Sequence, residues 1–237
     1  MATASGVAQQ PDSHEGRERV LRGPGTRSRP VVANAIPSAH VEGPFISDQA
    51  GARGVHDPSA VRPLDPEEVF RWLLAGPVGI ITVSPHGEHA PGQVRRLKSL
   101  GVTVAVGHTH ASPEEVSAAV DAGATLSTHL GNGIPKTLPR HPNIIWRQLA
   151  DDRLSVGLIA DGHHLPFDTL EVMLRAKGVD RAFLVSDATE IGGRPPGRYS
   201  TAVGSLVELG ETSAWRRWAA TCSQAPRPRC WTVCALW

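Results

Sequence analysis

Two histidines and a glutamate occupy comparable places in this chain, each at the end of a short apolar run. His108 ends Val104-Ala105-Val106-Gly107-His108, His129 ends Leu126-Ser127-Thr128-His129, and Glu42 lies in His40-Val41-Glu42-Gly43-Pro44. Two imidazoles and one carboxylate make a borderline N/O donor set, suited to zinc or another divalent first-row ion. Three protein ligands leave a coordination position for water, and such an ion lowers the pKa of that water and polarises a carbonyl oxygen. Asp187, in Leu184-Val185-Ser186-Asp187-Ala188, ends another run. A carboxylate there could take a proton from the water and hand it to a leaving amine. His164, in Ile159-Ala160-Asp161-Gly162-His163-His164, could donate a hydrogen bond to a substrate. Taken singly, each of these residues also fits a bland role, a hydrogen-bonded structural His or a helix-capping Asp. Their shared position is what favours chemistry. His108-Thr109-His110 also has the form of an HxH metal pair, since residues i and i+2 of a strand face the same way, but His108 alone is the expected ligand.

The elements needed to position these residues are legible. Strands are expected over Ala39–Glu42, Gly79–Val83, Val102–Gly107, Thr125–His129, Ser155–Ala160 and Ala182–Ser186. Helices fit between them. Asp65-Pro66-Glu67-Glu68 and Ser112-Pro113-Glu114-Glu115 each offer a side-chain oxygen for the N-cap, Pro at the first helical position, and carboxylates facing the positive end of the dipole. A third helix over Asp168–Lys177 stops at Gly178. Alternating strands and helices imply parallel pairing. About six such units predict an α/β fold, a partial TIM-type (β/α) barrel. In that architecture catalytic groups collect at the C-terminal ends of the strands, which is where His40, Glu42, His108, His129, Asp161, His164 and Asp187 fall.

Bulk composition narrows the function classes. The 237 residues are 40% hydrophobic and 20% charged, with a net charge of +1. That balance lacks the basic excess of a nucleic-acid binder. No apolar run approaches the ~18 residues of a membrane span, and Met1–Gln10 carries no secretory signal. The three cysteines, Cys222, Cys230 and Cys234, all lie near the C-terminus. The rest of the chain therefore has no disulfide framework, and a reducing, cytoplasmic setting is expected. Three zones follow. Residues 1–30 read as a flexible or non-native segment, residues 31–200 as the partial barrel, and residues 201–237 as an irregular tail whose Trp, Cys and Pro/Arg content also fits non-native sequence.

The motifs resemble those of N-acetylglucosamine-6-phosphate deacetylases of the amidohydrolase superfamily. The strings that carry the resemblance are His40-Val41-Glu42-Gly43-Pro44-Phe45, Gly54-Val55-His56-Asp57-Pro58, Val106-Gly107-His108-Thr109-His110-Ala111, Ser127-Thr128-His129-Leu130-Gly131-Asn132, Ile159-Ala160-Asp161-Gly162-His163-His164 and Leu184-Val185-Ser186-Asp187-Ala188. Each is weak alone, but six in family order are specific. The resemblance implies Glu42, His108 and His129 as metal ligands, with zinc, iron or another first-row ion bound. It implies Asp187 as general base and acid, and His56, His164, Asn132 and Gly133 as substrate contacts. Arg140 lies at the spacing of an arginine that binds the sugar phosphate, and a guanidinium fork suits that group. The expected reaction is hydrolysis of N-acetylglucosamine-6-phosphate to glucosamine-6-phosphate and acetate, in a homodimer. The alternatives are a non-catalytic remnant of such an enzyme, or an amidohydrolase acting on a different amide or cyclic amide. Departures occur at Gly131 and Gly133, at Ser84-Pro85-His86 where the family reads Ala-Pro-Glu, and at His110 where it has Asn, Ser or Asp. The family's first barrel strand is not recognisable before Ile36, nor its last strands after Tyr199, so truncation at both ends is expected.

Overall fold

Seven parallel strands run across one sheet in sequence order: β1 (Gly6–Ala8), β2 (Ala39–Glu42), β3 (Val78–Val83), β4 (Thr103–Val106), β5 (Leu126–Ser127), β6 (Ser155–Ile159) and β7 (Ala182–Val185). Among the described residues five helices join β2 through β7: α1 (Pro66–Ala75), α2 (Ala90–Ser99), α3 (Pro113–Ala122), α4 (Ile144–Ala150) and α5 (Phe167–Lys177). The arrangement is part of a β/α barrel, with β1 and β7 at the two edges of the sheet. The computed structural model describes residues 6–8, 30, 36–189, 191–200, 206–210, 214–217 and 233–235. No described helix is long and apolar enough to cross a membrane.

Local signals account for much of this. Asp65 caps α1, its side chain accepting from the Glu67 amide at 2.9 Å. Ser112 and Glu115 form a reciprocal capping box at the start of α3, which satisfies two amides that the helix leaves without partners. The strands are nearly continuous apolar runs, as sheets covered by crossover helices require. Inside-outside alternation is accordingly absent at the ends of β3 and β4: Ile81, Thr82 and Val83 are consecutive and all buried, as are Val104, Ala105 and Val106. Ile81, Val83, Val104 and Val106 pack with Val69 and Trp72 of α1, Val94 and Leu97 of α2, and Val116 and Ala119 of α3. A second cluster joins Val156 and Leu158 of β6 to Leu149 of α4 and Leu170 and Met173 of α5.

Some elements fall where the sequence carries no local signal. Strand β1 lies within residues 1–30, the segment read as flexible or non-native, and pairs in parallel with β2. Three residues without a hydrophobic period give no local signal for it. The tail expected to be irregular contributes β9 (Leu206–Leu209), β10 (Ala214–Arg217) and β11 (Val233–Ala235), which with β8 (Gly197–Ser200) form a four-stranded antiparallel sheet. Strand β5 ends at Ser127, so His129 lies beyond the strand and not within it. Cys222, Cys230, Trp218, Trp231 and Trp237, and the remainder of residues 1–29, lie outside the described residues.

A buried polar cluster ties α4 to α5. Lys177 is buried, and its Nζ donates to the carbonyls of Gln148 (2.9 Å) and Asp151 (2.6 Å), which satisfies acceptors at the end of α4. Asp151 accepts from Arg153 through Nε at 2.9 Å and Nη2 at 2.8 Å, and from Arg147 Nη2 at 2.9 Å. The hydrogen bonds from Arg153 outweigh burial and hold the Asp151 carboxyl at about 2. The unfolded chain, with this carboxyl near 3.8, takes up the proton first as pH falls. The stabilisation is therefore complete above about pH 4 and is lost progressively toward pH 2, an effect on the order of 1–2 kcal/mol given the exposure of Arg153. Acid unfolding followed by circular dichroism should show Asp151→Asn less stable at neutral pH and its stability less sensitive to pH across that window. Parallel stability curves for the two proteins would remove Asp151 from this role.

Candidate metal centre

At the C-terminal ends of β2, β4 and β5 three side chains converge. Glu42 closes β2, His108 follows β4 by two residues and His129 follows β5 by two. All three are buried. Glu42 Oε1 contacts Nε2 of His108 and lies 2.9 Å from Nε2 of His129, and the two Nε2 atoms are 3.0 Å apart. The imidazole rings meet edge to face, at 4.8 Å between centroids and 84°. Below them the inner face carries a second polar layer. His40 Nε2 lies 2.7 Å from Thr82 Oγ1, which lies 2.7 Å from Thr128 Oγ1.

His108 meets a requirement that a divalent ion imposes on its ligands, and His129 does not among the described residues. A metal-binding imidazole normally donates its other N–H to a fixed acceptor, which sets the tautomer and the ring orientation. His108 does so through Nδ1, 2.9 Å from the Ala52 carbonyl, which leaves Nε2 for the centre. His129 Nδ1 is buried without a hydrogen-bond partner among the described residues. A further imidazole, His56, is also buried, with Nε2 4.0 Å from Glu42 Oε1 and its ring edge-on to His108 at 4.6 Å. Ligand atoms of Glu42, His56 and His108 all lie within 4.8 Å of one another. His56, expected only as a substrate contact, is thus also within reach of an ion. Sequence spacing could not reveal this, because His56 arrives from a loop and not from a strand end.

The charges are strongly coupled. Burial alone would raise the Glu42 pKa, but the charges and hydrogen bonds of His108 and His129 hold it well below the usual carboxylate range. Burial likewise opposes a charged His129, yet the Glu42 carboxylate, with a contribution from Asp187, pushes it up to about 9. A proton and a cation therefore compete for the same nitrogen. Asp187 shifts upward because it is buried and faces the Glu42 charge, an effect opposed by His129, His108 and His164. These mutual effects place Asp187 and His164 in the field of the same cluster. His164 is itself held by Asp161, which accepts from its Nδ1 at 2.6 Å and from its backbone amide at 2.9 Å. Asp161, read from sequence only as a polar strand-end residue, is the orienting partner of His164.

The backbone marks two of the converging residues, His108 and His129, together with Asp187. His108 (φ 45°), His129 (φ 27°) and Asp187 (φ 49°) are the non-glycine residues with positive φ among the described residues. Each such residue costs on the order of 1–3 kcal/mol and persists where the surroundings dictate it, and such residues concentrate at functional sites. No sequence pattern announces this.

Of the remaining expected contacts, Asn132 sits beside the cluster, its amide donating to the His129 carbonyl at 2.9 Å. Its Nδ2 is a buried donor without a partner among the described residues. Gly133 acts through shape. A Cβ there would lie 2.9 Å from His108 Nδ1 and 3.2 Å from His108 Cα, on a backbone at φ 58°. Gly133→Ala should displace the His108 ring, destabilise the fold by about 1–3 kcal/mol and weaken metal binding. Thermal unfolding and metal titration of the variant would check this, and an unaltered melting temperature with unaltered affinity would refute it. Arg140 is exposed, in the loop that leads into α4.

Comparison with known proteins gives a consistent picture. No protein-family model matches the chain. It is 34% identical over 178 residues to the N-acetylglucosamine-6-phosphate deacetylase of Lysinibacillus sphaericus, a match covering 74% of this chain and 45% of the relative. It is 33% identical over 175 residues to the N-acetylgalactosamine-6-phosphate deacetylase of Shewanella sp. (strain ANA-3), covering 73% and 43%. The chain thus spans less than half the length of these curated relatives. Among solved structures, an N-acetyl-D-glucosamine-6-phosphate deacetylase variant from Mycobacterium smegmatis, in complex with N-acetyl-D-glucosamine-6-phosphate, superposes with a TM-score of 0.79 at 29% identity, over 99% of this chain and 57% of that one.

Proposed function

The chain is related to the N-acetylated amino-sugar-6-phosphate deacetylases in both sequence and fold, and from that premise we propose that it carries the metal-binding and proton-transfer residues of such a hydrolase. The observation that carries the proposal is the convergence of Glu42, His108 and His129 on one point, with Asp187 in the same field. Glu42, His108 and His129 would hold a divalent first-row ion, with zinc the leading candidate from the donor set. Such an ion, when bound, polarises a carbonyl and makes water a stronger nucleophile.

The chain's own groups supply the rest. The Asp187 carboxylate accepts a proton from the attacking water and returns it to the nitrogen of the departing amine. Asp161 accepts from His164 Nδ1 and so fixes the ring, with Nε2 turned to the substrate as a polar contact near the reacting carbonyl. The free amide of Asn132 and the ring of His56 contact the sugar. The Arg140 guanidinium, exposed at the loop, binds the phosphate as a fork. The products are acetate and an amino-sugar phosphate.

Relatives named for the gluco and the galacto substrate match at 34% and 33% identity, so the class of substrate is supported more strongly than its epimer. The test is release of acetate by the purified chain loaded with zinc, with N-acetylglucosamine-6-phosphate and N-acetylgalactosamine-6-phosphate assayed side by side. Acetate from either supports the reading. A chain that binds the ion, remains folded and releases none would be a metal-binding relative without turnover.

A further inference from the structure

We propose that His86 and His110 form a second binding site for a divalent transition-metal ion, of the zinc, nickel and copper class, at the rim of the sheet and separate from the Glu42 centre. His86 follows β3 and His110 follows β4, and these neighbouring strands pair in register with Val83 opposite Val106. The two imidazole rings come to 4.5 Å between centroids, tilted by 38°. His86 is exposed and His110 partly so, which leaves the pair open to solvent.

Hydrogen bonds hold both rings by the same nitrogen, Nδ1. His86 Nδ1 lies 2.7 Å from Ser84 Oγ, and the Ser84 hydroxyl donates its proton to Thr109 Oγ1 at 2.7 Å. With that proton committed, Ser84 accepts from His86, so Nδ1 carries the hydrogen and Nε2 carries the lone pair. His110 Nδ1 lies 2.6 Å from Ser47 Oγ, a hydroxyl that also accepts from the Gln49 amide at 3.0 Å and has a lone pair left for an Nδ1–H. Ser47, Ser84 and Thr109 are all buried, so the supports are fixed in place. A hydrogen-bonded Nδ1 behind a free Nε2 is the support that metal-binding histidines normally have. Neither Nε2 has a hydrogen bond among the described residues.

The surroundings suit a cation. Glu115 Oε1 accepts from the amide of Gly87, next to His86, at 2.8 Å, and Asp48 follows Ser47 in the chain. Two imidazole nitrogens select a borderline ion over calcium or magnesium, which prefer oxygen. The site is structurally coupled to the first, because the Ser47 amide donates to the His108 carbonyl at 2.8 Å.

The full chain, stripped with chelator and dialysed against nickel, tests this by metal content. The expected result is two bound equivalents in the parent protein and one in His86→Ala and in His110→Ala, with the weaker class lost or weakened at least tenfold. Glu42→Gln should keep the equivalent that these variants lose. The exposed position of His86 makes its replacement harmless to folding, and circular dichroism checks that. One equivalent in the parent that disappears with His86→Ala would support this site while removing the Glu42 centre. The proposal is overturned if both histidine variants bind as the parent does, or if the parent binds only one equivalent and loses it with Glu42→Gln alone.

Discussion

Glu42→Gln should empty the principal centre and abolish acetate release while leaving the fold intact. Glutamine keeps the shape of the side chain and removes its charge, so packing is preserved where Glu42 is buried against His108 and His129. Two imidazoles remain, one ligand short of the set and without the anion that offsets the ion's charge. Loss of a merely supporting residue costs roughly 10–100-fold in metal affinity, and removing a ligand should exceed that. Metal analysis after gel filtration, alongside the acetate assay, reads the result. A variant that retained its zinc and its turnover would show that the ion, if any, is held elsewhere. The assignment competes with one specific alternative, since His56 also lies within reach. His129→Gln and His56→Gln discriminate: the ligand's loss lowers metal content, and the substrate contact's loss raises KM at constant metal content.

Asp187→Asn has the second large expected effect, and its signature is opposite. Metal content should stay at the parental level while turnover falls by about 10²–10⁴-fold, the usual contribution of a positioned general acid–base. Asparagine is the informative replacement because of the backbone. Asp187 holds φ at 49°, a conformation that Asn and Asp tolerate and β-branched residues do not. A valine there would confound lost chemistry with strain. Turnover at the parental rate in a zinc-loaded Asp187→Asn protein would remove Asp187 from proton transfer.

The sequence made the scaffold legible where signals are local. The caps at Asp65 and Ser112 mark real helix starts, and strands at Ala39–Glu42 and Ser155–Ile159 fall where apolar runs meet polar ends. Helix α5 begins one residue earlier than the expected Asp168. The histidines that close those runs do gather, because strands laid parallel in sequence order bring equivalent ends together. What was not legible depends on distant parts of the chain. The first strand is three residues long and gains its identity only from its partner. Helix α2 begins at Ala90-Pro91-Gly92 behind His89, which makes no side-chain cap. The Ala52 carbonyl that orients His108 and the Asp161 carboxylate that orients His164 are second partners, visible only once the rings are placed. His86 and His110 sit on separate strand ends and show no common period, so their proximity follows from strand register alone.

The small antiparallel sheet reaches further into the chemistry than its remote place in the chain suggests. Val207 and Leu209 of β9 pack with Ile191, and Val55 packs against that cluster. Val55 is the immediate neighbour of His56, which stands edge-on to His108. Anything that favours the native placement of His56 must therefore also favour the seating of this sheet, and the reverse, by thermodynamic reciprocity. Amide hydrogens of β8 and β9 should exchange more slowly once zinc is added, although no ligand atom lies on either strand. The appended sheet would then act as a clasp on the loop that delivers His56, and wear at the clasp would register as looser metal retention before any residue of the centre had changed.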